Sequence, residues 1–190
     1  MPGSGGQDRS AEFETFYTAR YAEIAGYVRR RVADHDCDDV IAQVFTIAWR
    51  RFDSVPPPPQ DRLWLFGVAR NSVAEHERSL TRRQRLRGRL ADASAIGPLA
   101  PQSDPRYEPV LSAMSALRHA DREALQLVLW DGLTHAEAAT LLGCSVNAFE
   151  LRYRRARTAV RDAVLASQGH SGPGRVPSLR TANSARENVS

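Results

Sequence analysis

Lysine is absent from this sequence of 190 residues, and cysteine occurs only twice, at Cys37 and Cys144. The two cysteines lie far apart, with no Cys-x-x-Cys spacing and no neighbouring Cys/His pair, which argues against a disulfide framework and a structural zinc site. Apolar runs are also short, far below the ~20 residues that a membrane span needs. We therefore expect no membrane insertion, and we expect both cysteines to be small, semi-buried residues.

Catalytic motifs are missing as well. The five histidines lie in different segments without His-Glu-x-x-His or Cys/His spacing, and the sequence has neither a Gly-x-x-x-x-Gly-Lys phosphate loop nor a Gly-x-Ser-x-Gly turn. Residues 1–8 lack the basic and apolar segments of a secretion signal. The sequence therefore predicts a cytoplasmic protein that is not an enzyme and needs no cofactor or metal.

Charge is unevenly distributed along the chain. All 26 basic residues are arginine, against 22 acidic residues, and the net charge is +4. Six arginines and no acid occur in residues 78–89, five arginines and no acid occur in residues 152–161, and four aspartates occur in residues 34–39. Arginine is suited to phosphate and base edges, so the two clusters indicate nucleic acid as a partner. The alternative is a pair of solvated, salt-bridged helix faces.

Apolar residues recur three and four positions apart through most of the chain, which predicts an all-helical fold. The prolines at 56–59 must end a helix, and residues 91–109 contain four prolines among small and polar residues, which indicates a linker. The sequence thus predicts two small helical domains, an N-terminal bundle at 11–90 and a second domain at 110–166. Helices are expected at about 11–32, 36–52, 61 into the first arginine cluster, 109–118, 121–131, 134–142 and 145–166. We expect a flexible segment at 1–10 and a disordered tail at 167–190.

Residues 134–149 have the spacing of a helix-turn-helix. Ala139 is small enough for two helices to approach, and Gly143 tolerates the positive φ of a tight turn. Ser145 is a suitable N-cap for the second helix, and Phe149 lies where a large side chain would hold the two helices together. An ordinary helical hairpin is the alternative.

The first helix of this pair should begin with a capping box made by Thr134 and Glu137. The second helix should present polar side chains to a DNA major groove near its N-terminus and arginines to the flanking phosphates. The proposed reading residues are Ser145, Asn147, Glu150 and Arg152, and the proposed phosphate contacts are Arg154, Arg155 and Arg157.

Three parts of the chain resemble the RNA polymerase sigma factors of the extracytoplasmic-function (ECF) type. Residues 38–50, Asp-Asp-Val-Ile-Ala-Gln-Val-Phe-Thr-Ile-Ala-Trp-Arg, are similar to the family's polymerase-binding helix. Residues 63–71, Leu-Trp-Leu-Phe-Gly-Val-Ala-Arg-Asn, are similar to its promoter-melting helix. Residues 131–139 and 152–157 are similar to its helix-turn-helix. The resemblance covers roughly residues 11–166.

The resemblance implies that residues 11–90 are sigma region 2, which binds core polymerase and the unwound minus-ten strand, and that residues 110–166 are sigma region 4, which reads the minus-thirty-five duplex. The implied partners are core RNA polymerase, through its clamp and flap, promoter DNA as duplex and as single strand, and an anti-sigma factor. The implied polymerase contacts are Asp38, Asp39, Gln43, Trp49 and Arg50, and a core position is an equal alternative for Trp49. The implied minus-ten contacts are Arg70, Asn71, Glu75, Arg78 and Arg82. The prolyl loop at 53–62 lies where the family has its base-capturing loop.

Two positions depart from the family pattern. Gln43 stands where glutamate is usual, and Glu150 stands where the recognition helix often has lysine. Glu150 would repel phosphate but can accept from a cytosine amino group, which predicts altered promoter choice. Two other functions stay open. A helix-turn-helix activator of response-regulator or quorum type would need an α/β domain in front, and an inactive sigma-like protein that sequesters a partner rests only on these two departures.

Overall fold

The computed structural model describes residues 4–87 and 107–169, and every regular element within these ranges is helical. The first range contains α1 (Ser4–Arg29), α2 (Asp34–Arg50), a 3₁₀ turn (Phe52–Ser54) and α3 (Gln60–Arg87). The second contains α4 (Glu108–Ser115), α5 (His119–Leu129), α6 (His135–Leu142) and α7 (Val146–Gly169). The all-helical prediction is confirmed, and the predicted linker and tail lie almost wholly outside the described residues.

Most helix boundaries differ from the sequence prediction by one to three residues. For example, α1 ends at Arg29 and not at 32, α2 spans Asp34–Arg50 and not 36–52, α4 ends at Ser115 and not at 118, and α5 spans His119–Leu129 and not 121–131. Helix α1 begins at Ser4, so residues 4–10 are helical where a flexible segment was expected. Helix α4 begins at Glu108 because Pro109 falls in its first turn, where a missing N–H group costs nothing. Helix α7 continues to Gly169, three residues beyond the predicted end at 166.

The first three helices form a bundle around a shared apolar core. Of the apolar residues that recur along one side of α1, Tyr17 is exposed, Phe13 and Phe16 are half-buried, and Ile24, Tyr27 and Val28 are buried. The three buried residues pack with residues of α2 and α3, namely Val40, Ile41, Val44, Phe45, Ala48, Leu65, Phe66, Ala69 and Val73. The buried Asp61 side chain accepts hydrogen bonds from Arg20, with a shortest N–O distance of 2.9 Å, which fastens α1 to the start of α3.

The helices after residue 107 form a second, smaller unit that packs directly against the first. Helices α4, α5 and α7 enclose a minor core made by Met114, Leu125 and Ala156. The main core instead runs from the three-helix bundle into α5, α6 and α7, and it includes Ala124, Leu127, Leu133, Ala138, Ala139 and Phe149. The two predicted domains therefore lie in contact, which the sequence did not predict. No helix in the described ranges combines the length and the apolar character needed to cross a membrane.

Candidate nucleic-acid and polymerase interface

The start of α6 has the predicted capping box. Thr134 Oγ1 accepts a hydrogen bond from the Glu137 backbone N–H at 3.2 Å, and the Glu137 carboxylate accepts from the Thr134 N–H at 2.8 Å. These bonds satisfy two N–H groups that a helix start leaves without an intrahelical partner. The bond from the Thr134 N–H, helped by the Thr134 hydroxyl, lowers the pKa of Glu137.

The turn between α6 and α7 has helix-turn-helix geometry. Gly143 has a φ of 65°, in the left-handed region that favours glycine, and it ends α6. Ser145 Oγ then accepts from the Ala148 N–H at 3.2 Å and caps α7. Ala139 and Phe149 are both buried where the two helices meet. The predictions for these four positions are confirmed.

Helix α7 exposes a broad basic surface. The side chains of Asn147, Arg154, Arg155 and Arg157 are exposed, and none of the three arginines has an ion-pair partner among the described residues. By contrast, Arg161 further along the same helix pairs with Asp162 at 2.9 Å. The unpaired arginines of α7 therefore keep their donors available to an external anion.

Two of the predicted reading residues are separated around α7. At about 100° per residue, Glu150 and Arg152 lie on opposite edges of the exposed face, and both are half-buried. Glu150 Oε1 lies 3.6 Å from Nδ1 of His135, whose ring contacts the rings of Phe149 and Tyr153. The structure thus groups Glu150 with Asn147, Arg154 and Arg157, whereas Arg152 lies away from them.

A second basic surface follows α3. Asn71, Glu75, Arg78 and Arg82 are spaced by four, three and four residues, so they form one exposed row. Glu75 accepts from Arg82 at 2.8 Å and from Arg78 at 2.9 Å, and these two bonds lower the pKa of Glu75. Glu75 therefore orients two guanidinium groups. A shallow groove beside this row is lined by Ala74, Glu77, Arg78, Thr81, Arg82 and Arg85.

Arg70 is the one predicted minus-ten residue that does not join this row. Its Nε donates to Oε1 of Glu123 on α5 at 2.9 Å, across the contact between the two units. The hydrogen bond with Glu123 raises the pKa of Arg70. Arg70 thus pairs with a carboxylate of the second unit, whereas Arg78 and Arg82 pair with Glu75 on their own helix.

The predicted polymerase contacts lie on α2, and four of the five are exposed. Asp38 and Asp39 are exposed and have no basic partner within the described ranges, and Gln43 and Arg50 are exposed too. Trp49 is half-buried instead. Its ring packs edge-on against Phe13 at 5.0 Å between centroids and is covered by the guanidinium of Arg9 at 4.3 Å. Trp49 is therefore part of an aromatic cluster.

The residues that join the two units were missed by the sequence analysis. Asp131, whose side chain is fully buried, accepts hydrogen bonds from Arg30 and from Arg31, the latter at 2.7 Å. Arg62 donates to the Asp131 backbone carbonyl at 2.8 Å and to Glu23 at 2.8 Å. The only indication of this contact in the sequence was Asp131 itself, directly after the apolar run 125–130. An acidic side chain beside such a run is rarely buried unless it is paired with a basic one.

Neither cysteine forms a disulfide in the described part of the chain, and the Cys37 thiol donates a hydrogen bond to the Val32 carbonyl at 3.4 Å. Cys37 is buried, and Cys144 is half-buried. Burial, followed by the charge of Asp34, raises the pKa of the Cys37 thiol. Among the residues described, no group of His, Cys, Asp and Glu is arranged to hold a metal ion.

Comparison with known proteins gives matches in both halves of the chain. The family model of sigma-70 region 4 matches residues 107–160. The chain is 33% identical over 138 residues to the RNA polymerase sigma factor CnrH of Cupriavidus metallidurans, covering 66% of this chain and 72% of that protein. It is 31% identical over 125 residues to the ECF RNA polymerase sigma factor EcfG of Rhodopseudomonas palustris, covering 64% of this chain and 67% of that protein.

A solved structure has the same fold. The sigma factor RpoE in complex with the anti-sigma factor NepR, from Bartonella quintana, superposes with a TM-score of 0.63 at 23% identity. The superposition covers 81% of this chain and 97% of that one. The helical architecture of both units therefore occurs in an experimentally determined protein.

Proposed function

The chain belongs to the ECF type of RNA polymerase sigma factors, and we propose that its two halves divide promoter recognition between them. The first half, residues 11–90, binds core polymerase through α2 and holds the unwound minus-ten strand along α3. The second half, residues 110–166, reads the minus-thirty-five duplex with α7. Residues 91–109 join the two halves. In this role the chain has no catalytic chemistry of its own and supplies promoter specificity to the enzyme.

The observation that carries this proposal is the trio Arg154, Arg155 and Arg157 beside an intact helix-turn-helix. Arg154 and Arg157 are three residues apart on one face of α7, and like charges at this spacing repel each other unless an anion offsets them. Arg155 lies about 100° around the helix from Arg154 and extends the basic surface to the side. Duplex DNA supplies such an anion, and each phosphate contact releases condensed counterions. Ser145 and Asn147 lie at the N-terminal end of the same helix, where a recognition helix reads base edges.

The α3 surface suits a different form of DNA. A positive groove follows the backbone of a single strand, and the row made by Arg78 and Arg82, oriented by Glu75, has that character. Asn71 begins the row and offers both a donor and an acceptor to an unpaired base. We assign the duplex to α7 and the single strand to α3 because only α7 belongs to a helix-turn-helix.

The polymerase contact is assigned to the exposed side of α2. Asp38 and Asp39 provide two uncompensated negative charges at one end, and Arg50 provides a positive charge at the other, with Gln43 between them. Such a charge pattern selects the orientation of a partner more than it adds affinity. Trp49 contributes to this surface by holding its shape, because its ring lies beneath Arg9.

Regulation by an anti-sigma factor is part of the proposal. The structural relative RpoE was solved with the anti-sigma factor NepR, and it superposes on both halves of this chain. We place the chain in the cytoplasm, where core polymerase works. The activator alternative has no support, because it needs an α/β domain before the helix-turn-helix, whereas residues 4–87 form three α-helices and a 3₁₀ turn.

The test is transcription in vitro with purified core polymerase and a library of genomic fragments, followed by sequencing of transcript 5′ ends. We expect starts that depend on this chain and share two upstream motifs. The alternative functions give different results. An activator would require an added sigma factor, and a sequestering protein would suppress transcription by another sigma factor without creating new starts.

A further inference from the structure

We propose that Leu151 is a specificity-determining residue of α7, and that its side chain contacts the C5-methyl group of a thymine in the duplex that α7 reads. The proposal rests on the proposed function, which assigns this duplex to α7. It adds a reading residue that the sequence analysis did not select. The base is thymine because, of the four bases, thymine alone presents a methyl group in the major groove.

Leu151 lies near the centre of the exposed face of α7. At about 100° per residue, the side chains of Asn147 and Arg154 lie about 40° and 60° from that of Leu151 around the helix axis. Both are exposed, and 49% of the Leu151 surface is exposed as well. The buried residues Phe149 and Ala156 lie on the opposite side of the helix. The Leu151 side chain is therefore directed away from the core.

The surroundings of Leu151 are polar and basic. The residues three and four positions from it along the helix are Asn147, Ala148, Arg154 and Arg155. Neither arginine has an ion-pair partner among the described residues. Single exposed leucines are common on protein surfaces, and Leu151 differs from them by its place beside two arginines whose donors are available to an external anion.

A DNA groove fits this surface better than another protein does. A stable protein interface buries about 800 Å² on each partner and has an apolar centre. The apolar area at Leu151 is only about one side chain wide, and positive charges lie beside it. A duplex brings phosphates to the arginines and a methyl group to the leucine at the same time.

Leu151 also lies in the part of α7 that is suited to reading base edges. It follows the N-cap residue Ser145 by six residues, or about 9 Å along the helix axis. A recognition helix contacts base edges with its N-terminal residues. The preceding residue, Glu150, is suited to the amino group of cytosine, whereas leucine has no donor or acceptor and contacts the methyl group of thymine. Adjacent residues of α7 thus select different pyrimidines.

The test replaces thymine by deoxyuridine, one position at a time, in the minus-thirty-five element of a promoter found by the transcription assay. Each replacement removes one methyl group and leaves the hydrogen-bonding groups of the base in place. The full chain is bound to core polymerase, and competition binding gives the affinity for each promoter duplex. We expect one position at which uracil weakens wild-type binding about fourfold, the effect of losing the burial of one methyl-sized group.

Variants of Leu151 connect this response to the side chain. Leu151→Ala should bind the thymine promoter more weakly and should no longer distinguish uracil at that position, because the partner of the methyl group is gone. Leu151→Met keeps an apolar side chain of similar volume and should retain most of the distinction. Leu151 is exposed, so circular dichroism of both variants should match wild type.

Leu165→Ala is the matched control. Leu165 is 59% exposed, and it lies on the same face of α7 about 21 Å further along the helix axis, beyond the part that reads bases. The Leu165→Ala chain should therefore respond to uracil as wild type does.

Three results would overturn the proposal: a minus-thirty-five element without thymine, an element in which no thymine responds to uracil, or a full uracil response in Leu151→Ala. If Leu151 contacts a protein instead, Leu151→Ala weakens binding of the chain to core polymerase and leaves the uracil response unchanged. Failure of the proposed function looks different, because core polymerase with this chain then gives no new transcript starts. The assignment of Leu151 to DNA falls with it in that case.

Discussion

The Arg9 side chain of α1 donates a hydrogen bond to the backbone carbonyl of Trp49 at 2.7 Å, and its guanidinium lies 4.3 Å from the centre of the Trp49 ring. Its Nε also contacts Asp53 in the 3₁₀ turn at 3.2 Å. One side chain thus joins the start of α1, the end of α2 and the entry to the prolyl loop, which is shorter than the predicted 53–62 because α3 begins at Gln60. Arg9 therefore contributes to the position of this loop.

Replacing Arg9 by Ala should lower the free energy of unfolding by about 1–2 kcal/mol, because a charge-assisted hydrogen bond and a cation–π contact are lost together. Urea denaturation measures the change. Arg50→Ala is the control, since Arg50 is exposed at the end of α2, and it should change stability by less than about 0.5 kcal/mol. Equal effects would show that the start of α1 adds nothing to the bundle.

Arg155→Ala should reduce the salt dependence of duplex binding by about one unit of slope, because one phosphate contact is lost. Fluorescence anisotropy at several salt concentrations, with the promoter duplex recovered from the transcription assay, gives this slope. Arg161→Ala removes the same charge from the same helix, but Arg161 is already paired with Asp162. An equal loss of slope in both variants would contradict the assignment of Arg155.

Thr134→Ala should cost about 1 kcal/mol of stability, the usual effect of removing an N-cap side chain. Thr158→Ala, at an exposed position of α7, is the matched control and should be neutral or slightly stabilising. Thermal denaturation, monitored by circular dichroism, gives the melting temperature of each variant. Similar melting temperatures would mean that the capping box does not stabilise the fold.

The capping box also predicts a dependence on pH. The folded pKa of Glu137 is lowered by its bonds to Thr134, so its stabilisation is fully present above the unfolded value, about 4.3. That stabilisation is lost as the pH falls through the folded pKa. Between about pH 6 and about pH 3, the free energy of unfolding of Glu137→Gln should therefore fall less than that of wild type. If wild type and Glu137→Gln lost the same stability over this pH range, the Glu137 carboxylate would not stabilise the start of α6.

Gly143→Ala should destabilise the protein by about 1–2 kcal/mol, because an L side chain is strained in the left-handed region. No heavy atom lies within 4 Å of the added Cβ, so the cost is conformational and not steric. Gly67→Ala should have the opposite sign, because Gly67 lies inside α3 and an added Cβ makes only an ordinary contact at 3.9 Å. Chemical denaturation of the two variants tests both signs.

Cys144 should react with a thiol reagent faster than Cys37 in the folded protein. Cys37 is 3% exposed, and its raised pKa keeps little of it as the reactive thiolate. Mass spectrometry after brief alkylation identifies the modified residue, and both cysteines should react in denaturant. Early modification of Cys37 would indicate that α2 opens locally.

Local structure was largely predictable from the sequence. The capping box at Thr134 and the turn at Gly143 both follow from spacing within a few residues, where helix geometry fixes which side chains meet. The position of a side chain around a helix was harder to predict. Arg152 was grouped with Glu150 by closeness in sequence, although two residues along a helix turn the side chain by about 200°.

The contact between the halves was not predictable by the same means. The partners Arg70 and Glu123 are separated by 53 positions, and Arg31 and Asp131 by 100. No local pattern distinguishes an arginine that binds DNA from one that binds a distant carboxylate, because both lie on a helix face and both need an anion. The start of α1 was missed for a related reason, since the partners of Arg9 lie on α2 and the turn after it.

The burial of Asp131 between two arginines of α1 also affects how the chain unfolds. The carboxylate belongs to the second unit and its partners belong to the first, so separating the two units would leave charges without their partners. The apolar core likewise continues from the bundle into α5, α6 and α7. We therefore expect the two units to melt together in one cooperative transition and not one after the other.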